Sequence, residues 1–338
     1  MRAILITLLA VASCTVVRAA KEMQIYFIDV EGGQATLFVS PSGESMLVDT
    51  GWSGHNSRDA DRIAAAAKRA GVKKIDYLVV THYHEDHVGG VPQLAAKLPI
   101  RNFVDHGPSV ESDRRAKELF NAYSEYRAKG NHIQVKPGDS IPIKGLEVKV
   151  VAAGGEALSN PLMGAGSANP LCASDKLRER DNSENAQSVG TLITFDKFRA
   201  IDLGDLTWNR EHDLVCPNNK IGTVDLYIVT HHGSELSSDP AIVQALHPRV
   251  AIMDNGARKG GSPSAWQAIH DSPGIEDIWQ LHYSVEGGKD HNAPDTFIAN
   301  TDETGDAADW IRVIVKADGS FTVFNSRNKH TKTYEARN

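Results

Sequence analysis

Apolar and polar positions alternate in a way that divides the chain into short strands and helices. Strands are predicted at 23–29, 35–40 and 45–49, because alternating apolar residues there are bounded by glycine-rich turns. A helix is predicted at 59–70, where alanine and isoleucine recur on one face. The apolar run at 75–80 is typical of a strand that is buried on both sides.

The second half of the chain repeats this rhythm and ends in a hairpin around Asp318-Gly319. Strand clusters in both halves, each followed by helices, indicate two sheets packed face to face with helices outside. The stretch 154–184, rich in small and charged residues, is predicted to be a surface insertion, and long loops of this kind often bind ligands. No linker separates a second domain, so we expect a single domain over 23–338 with this insertion.

The N-terminal end has the pattern of an export signal. Arg2 is followed by an apolar stretch of about 15 residues, which is short for a membrane span of roughly 20. We expect a signal peptide over 1–19 or, alternatively, a lipoprotein signal that puts a lipid anchor on Cys14; a buried N-terminal helix or strand is the competing interpretation. The protein is therefore expected outside the cytoplasm, whether periplasmic, secreted or lipid-anchored, and no later segment is apolar enough for a transmembrane span.

Composition narrows the classes of partner. The 338 residues include 36 Lys and Arg against 43 Asp and Glu, a formal net charge of −7. This balance gives no strong nucleic-acid footprint, since a general nucleic-acid binder needs a basic surface. A small phosphate ester remains compatible, because a bound metal ion would supply local positive charge. Cys172 and Cys216 could pair in an oxidising compartment, but the sequence leaves this pairing open, as it does the oligomeric state.

Four side chains of the kinds that bind metals lie within six positions, directly after the run at 75–80: His82, His84, Asp86 and His87. Imidazole nitrogens and carboxylate oxygens are the ligands of Zn²⁺ and similar divalent ions. A strand end that delivers such a loop predicts a metal site.

These four residues form the motif HxHxDH, on which the chain resembles the metallo-β-lactamase superfamily. The segments 47–51 (LVDTG), 201–205 (IDLGD) and 229–234 (VTHHGS) extend the resemblance. It implies an α/β fold, the four-layer αββα sandwich. Segment 27–35 (FIDVEGGQA), together with VTHHGS, is similar to competence-type DNA-uptake proteins and to secreted phosphodiesterases such as the choline-phosphate esterases.

The resemblance also implies roles for residues outside the HxHxDH loop. Asp49 would orient the histidine loop rather than bind metal, and Asp205 would bridge two ions. The last metal ligand would be His231 or His232. We favour His231, which is nearer the strand end, and expect His232 to face the substrate.

One departure from the family pattern affects the metal. Most members have a third histidine of the first site upstream of the bridging aspartate, whereas segment 181–188 contains none. Similarity to the competence-type branch places Asn185 there. An amide oxygen is a weaker ligand for Zn²⁺ than imidazole, so the site with His82, His84 and Asp205 is expected to hold its ion less tightly or to prefer Mn²⁺. The expected cofactor is therefore Zn²⁺, as one or two ions.

The function implied by this resemblance is hydrolysis by a metal-bound hydroxide, with a small-molecule phosphoester or a phosphodiester as substrate. Asp86 would orient the nucleophile and move its proton. His106 ends the strand that follows the metal loop, where it would contact substrate or belong to an ordinary polar turn. The alternatives are a lactone or β-lactam hydrolase and a non-catalytic metal-binding module on the same fold.

Overall fold

The computed structural model describes residues 22–303 and 307–337. The predicted signal peptide and the cleavage and lipid sites at Ala20 and Cys14 lie outside the described residues. Within the described ranges, no helix has the length and apolar character needed to cross a membrane.

Two large sheets form the centre of the fold. The first six strands, all in the first sheet, are β1 (Met23–Phe27), β2 (Thr36–Val39), β3 (Ser45–Val48), β4 (Ile75–Val79), β5 (Ile100–Asp105) and β6 (Asn131–Gln134). The second sheet contains β7 (Ser140–Ile141), β8 (Glu147–Ala153), β9 (Glu156–Ala157), β10 (Gly190–Phe195), β11 (Phe198–Asp202), β12 (Leu226–Ile228), β13 (Val250–Met253), β14 (Asp277–His282) and β15 (Ile298–Asn300). The chain then returns to the first sheet with β16 (Ile311–Val315), β17 (Phe321–Asn325) and β18 (Thr331–Tyr334).

Strand direction determines where side chains can converge. The first sheet has the order β18-β17-β16-β1-β2-β3-β4-β5-β6, and β3 to β6 pair in parallel. The second has the order β15-β14-β13-β12-β11-β10-β8-β7, and β11 to β15 pair in parallel. Carboxyl ends of parallel strands lie at one edge of a sheet, where ligands of open α/β sheets commonly bind.

Helices cover the outer face of each sheet. They are α1 (Arg58–Arg69), α2 (Glu85–Val88), α3 (Val91–Ala95), α4 (Arg114–Arg127), α5 (Trp208–Val215), α6 (Pro240–Leu246) and α7 (Pro263–His270). Three apolar clusters separate the layers. Phe38 and Trp279 pack between the sheets, Ile63 of α1 packs beneath the first sheet, and Ile242 of α6 packs against the second. This arrangement confirms the predicted αββα sandwich.

The segment 154–184 is ordered by local contacts rather than structureless. It contains β9 and a 3₁₀ turn at Pro170–Ala173, and Ala168 bridges to Asn218. A disulfide joins Cys172 in this segment to Cys216, the residue after α5, with their Cα atoms 5.6 Å apart. The pairing that the sequence left open is therefore present, and it fastens the insertion to the second sheet's helical layer.

Candidate metal centre

The predicted ligand residues converge where the carboxyl ends of parallel strands from both sheets meet. The histidine loop follows β4, and Asp49 follows β3. From the second sheet, Asp205 follows β11 and the histidine pair follows β12. Close approach of the loops requires glycine at Gly90, because a Cβ there would lie 2.1 Å from the carbonyl oxygen of Thr50.

Asp49 contacts the histidine loop through hydrogen bonds to Thr81 and His87. Its Oδ2 lies 2.7 Å from His87 Nδ1 and accepts a hydrogen bond of 2.7 Å from Thr81 Oγ1, while Oδ1 accepts one of 2.8 Å from the Thr81 amide. Asp49 is fully buried. A carboxylate on Nδ1 leaves Nε2 of His87 free to face the centre, which is how outer carboxylates usually fix metal-binding histidines. This geometry suits the orienting role that the family resemblance implied for Asp49.

Four buried residues offer ligand atoms that all lie within 4.8 Å of one another: Asp86, His87, Asp205 and His232. His87 Nε2 lies 3.2 Å from Asp86 Oδ2 and 3.2 Å from Asp205 Oδ2. His232 Nε2 lies 3.2 Å from His87 Nε2 and 3.4 Å from Asp86 Oδ2. We call these four residues the Asp86 group.

A second set adjoins the Asp86 group through Asp205. His82 Nε2 lies 3.1 Å from His84 Nδ1 and 3.9 Å from Asp205 Oδ2. His231 Nε2 lies 3.3 Å from the same oxygen, Asp205 Oδ2, and 3.5 Å from Asn185 Nδ2. We call this second set the His82 group. It consists of His82, His84, Asn185 and His231, and it shares Asp205 with the Asp86 group.

The two consecutive histidines lie on different sides of Asp205 because of their backbone. His231 and His232 both adopt left-handed conformations, with φ of 55° at each. Such residues cost roughly 1–3 kcal/mol each and cluster at functional sites. In this geometry His232 joins the Asp86 group, whereas His231 lies beside Asn185. We therefore propose His232, rather than the His231 favoured from the sequence, as the ligand that completes the Asp86 group, and the variants below test this choice.

The donor set fits divalent metal ions. Among the described residues, Asn185 Oδ1 and Asp205 Oδ1 are buried without a hydrogen-bond partner, and several imidazole nitrogens face one another. Burial and the neighbouring His87 lower the pKa of His82 well below its usual value, which favours the neutral ring that binds metals. Burial opposes ionisation of Asp205, but the surrounding imidazoles outweigh it and lower its pKa well below the usual range.

Lys259 is a site residue that the sequence did not single out. It lies in the loop after β13, and its Nζ contacts Asp86 Oδ2 and donates a 2.7 Å hydrogen bond to the carbonyl of Gly32. It also lies 5.4 Å from the centre of the Trp52 ring. The segment 255–262 carries no recognisable motif, so only the fold shows that this ammonium group reaches the centre.

His106 is buried next to the centre and has a carboxylate partner. Its Nε2 lies 3.1 Å from Glu184 Oε2, and Glu184 also accepts hydrogen bonds from Ser109 Oγ and the Val110 amide. This network joins the loop after β5 to the end of the insertion. The structure thus gives His106 a structural partner, and substrate contact by this residue stays a prediction.

A cavity of about 410 Å³ opens beside Asn185. The insertion contributes Arg178, Asp181 and neighbouring residues to its wall, and the Arg178 guanidinium lies over the ring of Trp208, 3.6 Å from the ring centre. In the described part of the chain, Trp208 Nε1 is buried without a hydrogen-bond partner. The cavity therefore adjoins the His82 group through Asn185, whereas the Trp208 nitrogen is enclosed by the protein.

The number of metal ions bound by single-residue variants should show which ligand group each residue belongs to. His232→Ala should lose the ion of the Asp86 group, because it removes one of three side chains that converge there with Asp205.

Asn185→His should tighten the ion of the His82 group by at least about tenfold, since imidazole is the stronger donor. In the unmodified protein we expect one ion to survive dialysis and the second to be lost, as measured by inductively coupled plasma mass spectrometry. Two equally tight ions would show that Asn185 does not weaken the site.

Comparison with known proteins gives an independent view of the chain. The family model of the metallo-beta-lactamase superfamily matches residues 28–160, a span that contains Asp49 and the whole histidine loop.

Curated relatives extend the similarity beyond that span. ComE operon protein 3 of Bacillus subtilis is 26% identical over 253 residues, which cover 70% of this chain but only 29% of that protein. Hydroxyacylglutathione hydrolase of Rhodopseudomonas palustris is 33% identical over 102 residues, 30% of this chain and 33% of that enzyme. Ribonuclease Z of Methanopyrus kandleri is 28% identical over 117 residues, 34% of this chain and 37% of that enzyme. The αββα sandwich and the HxHxDH loop inside the matched span agree with this similarity to the metallo-β-lactamase superfamily, and among the relatives are metal-dependent hydrolases.

Proposed function

We propose that the protein is an exported, metal-dependent phosphodiesterase. The observation that carries the proposal is the pair of adjoining ligand groups that share the carboxylate of Asp205. Divalent ions bound there would supply an activated water and an electrophile for a phosphoryl oxygen. A module that only bound metal would have no need for a buried carboxylate shared between two groups of histidines.

The protein's own residues divide the remaining work. Asp49 and Thr81 hold the His87 ring in one orientation. Asp86 lies at the edge of the centre, where its Oδ2 contacts both His87 and Lys259. It is thus placed to orient a reacting water and to take up its proton.

Charge at the mouth of the site supports an anionic substrate. Lys259 brings a positive charge to Asp86, and its side chain is 37% exposed, so it can reach a bound ligand. The cavity beside Asn185 provides room for the second substituent of a diester.

Replacement of Lys259 tests this charge directly. Lys259→Met should raise KM for a phosphodiester about ten- to hundredfold, because a hydrogen bond to a charged group contributes about 1.5–3 kcal/mol. KM for a neutral lactone and the metal content should stay the same. Arg258→Met is the matched control, since Arg258 is exposed and pairs with Glu303. Equal loss with charged and neutral substrates would contradict an anion-binding role.

Export is tested at the N-terminus of the mature protein. If residues 1–19 are a signal peptide, intact-mass spectrometry of the protein from its native host should show a chain that begins at Ala20. A lipoprotein signal would instead give a chain that begins at a lipid-modified Cys14. A protein that retains Met1 and fractionates with the cytoplasm would overturn this part of the proposal.

Hydrolysis of a lactone, a β-lactam or a thioester is the alternative activity. The relative named hydroxyacylglutathione hydrolase is consistent with a carboxylic substrate. Lys259 and the cavity favour the phosphodiester. A panel of chromogenic phosphodiester, phosphomonoester, lactone, thioester and cephalosporin substrates distinguishes these classes.

A further inference from the structure

A second cluster of metal-ligand side chains lies away from the catalytic centre, where the insertion meets the helices of the second sheet. It consists of Asp175, His212 and Asp239. His212 Nδ1 lies 2.7 Å from Asp175 Oδ2 and 3.8 Å from Asp239 Oδ2. One ligand atom from each residue lies within 4.8 Å of the other two.

Three separate elements bring these side chains together. His212 lies in α5, and Asp239 caps the N-terminal end of α6, where its Oδ1 accepts a 2.8 Å hydrogen bond from the Ala241 amide. Asp175 follows the 3₁₀ turn that carries Cys172, so the disulfide to Cys216 holds it against α5. The cluster is thus built by tertiary structure.

The cluster carries more negative charge than its neighbours neutralise. Asp239 is fully buried, and its Oδ2 has no hydrogen-bond partner within the described ranges. The carboxylate of Glu211 is also fully buried, accepts a 2.9 Å hydrogen bond from the Asp239 amide, and leaves its Oε1 unpaired. His212 is the one imidazole in a cluster with two carboxylates, and the nearby Arg210 pairs with Asp213 instead.

Unpaired buried carboxylate oxygens normally carry a proton or face a cation. Asp239 Oδ2 and Glu211 Oε1 have no hydrogen-bond partner among the described residues, although the second oxygen of each carboxylate accepts a backbone hydrogen bond.

We propose that Asp175, His212 and Asp239 bind a structural divalent cation. One imidazole nitrogen and two carboxylate oxygens suit Zn²⁺ or Mn²⁺ better than Ca²⁺, which prefers oxygen ligands alone. The ion would join the insertion to α5 and α6. It would thereby fix the part of the insertion that begins at Asp175 and continues to Arg178 and Asp181, which line the cavity beside Asn185.

Zinc content provides the first test, and it requires no activity. Asp175→Asn and His212→Gln should each bind one Zn²⁺ per chain fewer than the wild type, with the disulfide and the circular dichroism spectrum unchanged. His270→Gln is the matched control, because His270 pairs with Asp271 on the surface. Equal zinc content in the wild type and both variants would overturn the proposal.

Limited proteolysis provides a local readout. Lys176, Arg178 and Arg180 follow Asp175 directly and are trypsin sites. With Zn²⁺ present, cleavage between 176 and 180 should be at least about tenfold faster in Asp175→Asn than in the wild type, because a bound ion lowers the population of open states. Equal cleavage rates would contradict a role in fixing the insertion.

A measurement on the unmodified protein covers the case in which the variants fail to fold. Crystals grown with Zn²⁺ should show an anomalous difference peak between the three side chains, separate from any peak at Asp205. A structure with zinc at Asp205 and no peak at His212 would overturn the structural site and leave the proposed hydrolase intact. The reverse result would overturn the catalytic proposal alone.

Discussion

Asp205→Asn is expected to reduce the turnover of a phosphodiester by about 10³-fold or more. Asp205 Oδ2 lies near nitrogens of His82, His87 and His231, so this one carboxylate serves both ligand groups. An asparagine there would remove this negative charge from both ligand groups. Metal-ion stabilisation of a transition state is worth several kcal/mol, and about 4 kcal/mol corresponds to a factor near 10³.

A matched variant separates this effect from a general change of charge. Asp213→Asn alters an exposed aspartate that pairs with Arg210 on α5, and it should keep full activity. Asparagine matches aspartate in shape, so the Asp205→Asn protein should remain folded and lose bound metal. Full activity in the metal-depleted variant would show that the reaction does not use this centre.

Asp49→Asn should weaken metal binding about 10- to 100-fold and lower the free energy of unfolding by about 3 kcal/mol. The first effect follows because Asp49 orients His87 without binding metal, and loss of such a partner typically costs that much affinity. The second follows because the fully buried Asp49 carboxylate accepts a hydrogen bond from His87, and a hydrogen bond to a charged group contributes about 1.5–3 kcal/mol. Asparagine tolerates the left-handed backbone at this position, where φ is 59°.

Calorimetric metal titration and chemical denaturation measure the two effects of Asp49→Asn. Asp61→Asn is a suitable control, because Asp61 is exposed on α1 and pairs with Lys97. An Asp49→Asn protein with unchanged metal affinity would contradict the orienting role. Unchanged stability would show that His87 finds another partner in the folded state.

The layers of the fold could be predicted from the sequence because their signals are local. Alternating strands such as Phe321–Asn325 and the apolar run ending at Val79 each bury a face that the pattern reveals. β15 (Ile298–Asn300) and β18 (Thr331–Tyr334) were not predicted. The first has three residues, and the second has an exposed, polar face, so neither leaves a clear periodic pattern.

Only those residues of the metal centre that lie in recognisable motifs could be predicted from the sequence. The HxHxDH loop lies within six consecutive positions, so its chemistry is visible without the fold. The positions of His231 and His232 relative to Asp205 depend on two successive left-handed residues, which no propensity scale anticipates. Lys259 reaches Asp86 across 173 positions of the sequence, a contact that only the packing of the two sheets creates.

Hydrolysis by the fully metallated protein tests the proposed function most directly. The chromogenic panel should be assayed from pH 6 to pH 9 after reconstitution with Zn²⁺ and, separately, with Mn²⁺. We expect the phosphodiester to be the preferred substrate, with activity that a chelator abolishes and added metal restores. A protein that holds its metal ions and hydrolyses no member of the panel at any pH would contradict the assignment as a hydrolase.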